Sequence, residues 1–120
     1  MSKLLIFVGE NQKFDVDVAI NAITSMSSVS NARRGDFIGA IFECEYSREG
    51  ASTIIRIGPE AETITAEGLG DESLSFALEL QEILLVDLHA IDMDYSFNLA
   101  LRDFKSSDEL KRAIASVGQQ

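Results

Sequence analysis

From Ile91 to Leu101 every odd position is large and apolar: Ile91, Met93, Tyr95, Phe97, Leu99 and Leu101. The even positions between them are Asp92, Asp94, Ser96, Asn98 and Ala100. Alternation with period 2 predicts one long strand with a buried and a wet face. Residues two apart on a strand point the same way, so Asp92 and Asp94 are expected side by side on the wet face.

The rest of the chain divides by the same reasoning. Leu4 to Val8 is a continuous apolar run and predicts a central strand covered on both faces. After a turn over Gly9 to Lys13, Asp15 is placed to cap a helix starting near Val16, with Val16, Ala19, Ile20 and Ile23 as its apolar stripe. Ser27 to Arg34 reads as a polar loop that continues as a turn at Gly35-Asp36. Phe37 to Tyr46 predicts a strand with Ile38, Phe42, Cys44 and Tyr46 sharing a face. Ser52 to Ile57 is rich in β-branched residues, and Thr63 to Glu67 is a weaker strand. The short turns at Arg48-Glu49-Gly50 and Gly58-Pro59-Glu60 predict antiparallel neighbours.

Gly68-Leu69-Gly70 breaks the pattern, and Asp71 is expected to cap a second helix. Its stripe is Leu74, Ala77, Leu78, Gln81 and Leu85, widened by Phe76, Leu80, Ile83 and Leu84. Ser106-Ser107-Asp108-Glu109 fits a capping box for a last helix with Leu110, Ala113, Ile114 and Val117 inward. The predicted order is β-α-β-β-β-α-β-α. This is an α+β fold, with a mostly antiparallel sheet of about five strands and about three helices packed on one face.

Composition sets the limits. The 120 residues include one proline and no linker-like run, so residues 1–120 are expected to form one α+β domain. Twenty acidic against ten Lys/Arg residues give a net charge of -10, which disfavours nucleic acid and anionic membrane and suits a basic partner. The apolar run before Glu10 is too short for a signal-peptide core, and no stretch approaches the ~20 apolar residues of a membrane span. A cytoplasmic protein is the expectation.

Candidate chemistry is sparse. Cys44 is the one cysteine, so an intrachain disulfide is impossible; its place among Phe42 and Tyr46 predicts a buried, unreactive thiol. His89 is the one histidine, and no serine or cysteine is implicated with it as a nucleophile. Asp92 and Asp94 could hold a divalent cation only with further ligands, and no phosphate cradle accompanies them. No residue is therefore assigned to catalysis, to a cofactor or to a metal, and the chain is read as a non-enzyme. Glu43 and Glu45 project from the polar face of their strand. With Asp92 and Asp94 they could form one acidic patch, which gives these four residues as candidate partner contacts.

The segment Leu85-Val86-Asp87-Leu88-His89-Ala90-Ile91-Asp92-Met93-Asp94-Tyr95-Ser96-Phe97-Asn98-Leu99, followed by Ser106-Ser107-Asp108-Glu109-Leu110, resembles the C-terminal part of some bacterial immunity proteins. These are small, acidic, cytoplasmic partners of polymorphic or contact-dependent toxins. The likeness covers about the last third of the chain. It implies a non-enzymatic inhibitor that binds a cognate toxin domain, expected to be basic and in many cases a nuclease. The alternative is a small regulatory or scaffold domain acting by self-association or by binding another protein.

Overall fold

Leu4 and Ile6 are fully buried while Lys3, Leu5 and Phe7, which alternate with them, are half-buried, so the first strand has one core side and one partly open side. In the computed structural model, which describes residues 3–9, 12–37 and 39–117, this asymmetry extends over a whole sheet. The elements in chain order are β1 (Lys3–Phe7), α1 (Val16–Thr24), β2 (Val29–Phe37), β3 (Ala40–Arg48) and β4 (Ala51–Ile57). They continue with β5 (Ile64–Glu67), α2 (Asp71–Ile83), β6 (His89–Asp92), β7 (Asn98–Ala100), a 3-10 turn (Leu101–Asp103) and α3 (Ser107–Val117). The fold is α+β. Seven strands form one sheet in the order β2-β3-β4-β5-β1-β6-β7, and every neighbouring pair is antiparallel.

The core lies on one side. Leu4, Ile6, Phe42, Cys44, Tyr46, Ile55, Ile57, Ile64, Ala66 and Ala90 point into it from the sheet. Ala19, Ala22 and Ile23 of α1, Leu74, Phe76, Ala77 and Leu80 of α2, and Leu110 of α3 close it from above. Leu5, Phe7, Ile54 and Ile91 belong to the opposite face and take no part in this core. Strand β1 is thus central, as its apolar run predicts, but helices cover only one of its faces.

Helix starts follow local chemistry. The Asp15 carboxylate accepts the Val18 N–H at 3.2 Å and caps α1. Ser106 caps α3 by accepting the Glu109 N–H at 3.2 Å, and Glu109 answers by accepting the Lys105 N–H at 3.0 Å, one residue before the position a capping box uses. At α2 the expectation is corrected: Gly70 is the cap residue, without a side-chain bond, and Asp71 is the first helical residue.

Three further corrections concern strands. The polar stretch expected to be loop and turn is β2, an edge strand pairing with β3. Ser30 to Gly35 are exposed, so neither face imposes apolar alternation, and register shifts interrupt the ladder. Bulges and charges of this kind blunt a sheet edge against unwanted pairing. The expected single strand from Phe37 to Tyr46 is divided between β2 and β3 at a turn containing Gly39, φ +76°; Ile38 lies outside the described residues. The long strand expected from Ile91 to Leu101 is a hairpin: β6 ends at Asp92, the chain turns, and β7 begins at Asn98.

Candidate functional site: an open sheet face, a hairpin tip and an apolar groove

The antiparallel register aligns one residue from each strand in a row across the helix-free face: Arg33, Glu43, Arg56, Thr65, Leu5, Ile91 and Asn98. The row changes character midway. On the β2–β5 side Arg56 donates from Nε to Glu43 at 2.8 Å and from Nη1 to Glu67 at 2.6 Å, and Arg33 donates to the other oxygen of Glu43. Two guanidinium groups on one carboxylate hold Glu43 below its ordinary pKa, with the Arg56 bond contributing most and Arg33 next, against the opposing push of burial. Glu45 accepts from the Asn31 amide at 2.7 Å. On the β1–β6 side Leu5 faces Ile91, and Phe7 stacks on His89 with ring centroids 5.4 Å apart.

The four candidate carboxylates therefore do not form one patch. Glu43 and Glu45 share the open face, but cations and an amide already engage them. Asp92 pairs with Leu4, whose side chain lies in the core, so its carboxylate belongs to the helix side of the sheet. It is only 8 % exposed. The Ser96 N–H donates to its Oδ1 at 2.7 Å, and the Ser96 hydroxyl donates to Oδ2. Burial pushes this carboxyl up, but the Ser96 bonds and neighbouring backbone N–H groups outweigh that and hold it below its ordinary value. Asp94 is exposed in the turn between β6 and β7. The expected pairing of Asp92 and Asp94 fails because the strand they were assigned to ends at the first of them.

Asp92 also accepts the Tyr95 N–H through its backbone carbonyl at 3.2 Å. The turn so closed puts Tyr95 at φ +56°, a conformation that a bulky residue adopts only when its surroundings enforce it. Met93, Asp94 and Tyr95 stand out in solvent, Tyr95 with 76 % of its surface exposed.

Among the described residues six large apolar side chains are exposed, and they collect in two places. Met93 and Tyr95 form the hairpin tip. Val18, Ile83, Leu85 and Val86 line a groove of about 410 Å³ beside Val8 and Phe14, between the start of α1 and the end of α2. The helical spacing places Leu85 on the apolar stripe of α2, but the helix ends at Ile83 and Leu85 is 96 % exposed. Its position is fixed from below. The buried Gln81 amide donates to the Val86 carbonyl at 2.8 Å and accepts the Leu88 N–H at 2.8 Å, clamping the segment between them. No sequence pattern announces this clamp, since a glutamine on a helix stripe is equally compatible with solvent.

The remaining chemistry is closed off. Burial, reinforced by Glu43 and Glu45, pushes the Cys44 thiol up to about 12. Tyr46 is fully buried, donates to Glu79 at 2.7 Å and meets Phe76 edge-on. Asp87 pairs with Arg102. Among the described residues no group of three or more His, Cys, Asp or Glu is placed to hold a metal ion, and no helix is long and apolar enough to cross a membrane. Compared with known protein families, curated proteins and solved structures, the chain matches none.

Proposed function

We propose that this chain is a non-enzymatic protein inhibitor of the immunity type, acting in the cytoplasm, which binds a cognate, basic toxin domain and leads with the hairpin tip Met93-Asp94-Tyr95. The observation that carries the reading is the exposure of those three side chains on a turn that Asp92 and Ser96 hold closed. Tyrosine and methionine are enriched in the centres of protein interfaces, and a pre-ordered loop loses less entropy on binding. Asp94 supplies a carboxylate for a cationic pocket, and the net charge of -10 steers a basic partner toward the chain.

In this reading the four candidate carboxylates divide their roles. Asp94 is the contact, and Asp92 positions the loop that carries it. Glu43 and Glu45 belong to the polar half of the open face, where Arg33, Arg56 and Asn31 fix them as a rim. The resemblance of the β6–β7 region to immunity proteins supplies the toxin as the class of partner.

Affinity capture from the native cells tests the reading, comparing the wild-type chain with Asp94→Lys and Tyr95→Ala at moderate and high salt. The expected result is one stoichiometric partner carrying a basic toxin-like domain, depleted in both variants and weakened by salt for the wild type. Recovery of only further copies of the chain would replace this reading with a self-associating scaffold domain. Equal capture by wild type and both variants would remove the tip as the contact.

A further inference from the structure

We propose that the helix-free face of the sheet is a homodimer interface, on which a second copy of this chain stacks face to face. The inference stands on the sheet alone and is independent of the toxin-binding reading.

Half of this face is built as an interior. The helices pack on the opposite side, and Leu5, Phe7, Ile54 and Ile91 take no part in the core they close. Register nevertheless sets Leu5 between Thr65 and Ile91, and Phe7 stacks on His89. Apolar and β-branched side chains thus run side by side over β5, β1 and β6. A sheet face left to water carries polar residues, whereas a strand apolar on both sides is covered on both. For β1 the helices supply one cover, and the second copy supplies the other.

Charge selects a second copy as that cover. The chain carries twenty acidic residues against ten Lys/Arg. On the ladder of this face the two signs balance: Lys3, Arg33 and Arg56 stand among Glu43, Glu45 and Glu67. Lys3 opposes Glu67, and Glu43 lies between Arg33 and Arg56. At physiological salt charges act over about 8 Å, so the patch in contact decides repulsion and not the total. Two acidic copies meet here at little electrostatic cost, while the acid-rich remainder of the surface opposes other orientations. A strongly basic partner gains no attraction from a balanced face and is steered to the acid-rich surface instead.

Size agrees with this occupant. At ~4.8 Å between neighbours, the seven strands span about 30 Å. The seven residues of β4 and the nine of β3 run roughly 20–30 Å along it. A face of these dimensions is of the order of the ~800 Å² that each partner contributes to a standard interface. Two such faces stack about 10 Å apart with their side chains interdigitated. Association edge to edge is disfavoured, because β2 is bulged and charged and β7 has three residues.

The test is sedimentation of the isolated chain at about 1 to 100 μM, at physiological and at high salt. A dimer is expected, and salt should leave it intact or tighten it by screening the acid-rich remainder. Leu5→Glu is expected to raise the dimer Kd by about tenfold or more. Leu5→Thr, which keeps a good strand former, should weaken the dimer in the same direction without threatening the fold. Leu85→Asp and Tyr95→Ala, which lie off this face, should leave it unchanged. A monomer throughout the concentration range would overturn the proposal. So would a dimer that Leu85→Asp dissolves and both Leu5 variants spare, which would place the contact elsewhere, or one that high salt dissolves, which would rest on attraction between unlike patches. A monomeric result leaves the toxin-binding reading to its own capture experiment, and a failed capture leaves the dimer standing.

Discussion

The Asp92 carboxylate is turned inward onto Ser96, accepting its N–H at 2.7 Å and its hydroxyl, and this single pairing converts a stretch of alternating sequence into a closed hairpin. A side chain that satisfies the backbone of a turn competes directly with the strand ladder for the same groups. Ser96→Ala removes the hydroxyl bond and keeps the N–H bond, at an expected cost of about 1 kcal/mol. The more telling readout is hydrogen exchange. The amides of Tyr95 and Ser96 should lose protection in this variant while those of β1 and β5 keep theirs. Unaltered exchange at the tip would mean that the Ser96 hydroxyl bond does not hold the turn closed.

The same pairing explains what the sequence conceals. Aspartate favours turns because its side chain bonds backbone two to four residues on, yet in Asp92-Met93-Asp94-Tyr95 the turn contains no glycine and its left-handed residue is a tyrosine. The period-2 pattern therefore continues through the turn, and strand and hairpin are indistinguishable by periodicity. The interior strands β3, β4 and β5 and helix α1 are legible because one buried face dictates their alternation or their 3.6-residue stripe. Strand β2 is not, since an exposed edge leaves no such imprint on Ser30 to Gly35. Leu85 misleads in the opposite sense: it keeps the helical spacing of α2, but Leu84 ends that helix in an extended conformation.

Gln81 has both of its amide functions occupied inside the protein, by the Val86 carbonyl and the Leu88 N–H. Gln81→Leu preserves the volume and leaves the buried Leu88 N–H without its partner. The expected destabilisation is about 1–3 kcal/mol, the usual cost of an orphaned buried donor. Denaturant unfolding gives the magnitude, and limited proteolysis at Leu85–Asp87 gives the location. A stability loss without new cleavage there would show that the amide supports the core rather than the groove wall.

Cys44 is a small apolar residue in function. With its thiol pushed up to about 12 by burial and by Glu43 and Glu45, the thiolate needed for reaction is scarce at neutral pH. The native protein should react with a thiol-specific disulfide reagent only at the rate of its opening, and stoichiometrically once denatured. Cys44→Ala should cost roughly 1–2 kcal/mol through the cavity left among Phe42, Tyr46 and Ile55. Rapid labelling of the native protein would place Cys44 outside the core.

Acid should unfold this protein earlier than its large acidic excess alone would suggest, because two of its carboxylates work for the fold. Glu43, held down by Arg56 and Arg33, and Asp92, held down by Ser96 against its own burial, both ionise more readily in the folded state than in the unfolded chain. A group with a depressed folded pKa contributes stability that is complete above its unfolded value, about 4 for both types, and that is lost as pH falls through the folded value. Melting temperature should therefore fall progressively as pH drops below about 5. Relief of repulsion among the remaining acids acts in the opposite direction and is weakened by salt, so the decline should be steepest at high ionic strength. Asp92→Asn keeps one acceptor oxygen for Ser96 but cannot titrate, and Arg56→Gln removes the largest support of Glu43. Each variant should be less stable at neutral pH and show a flatter decline in acid. A wild-type slope in both would assign the acid sensitivity to other carboxylates.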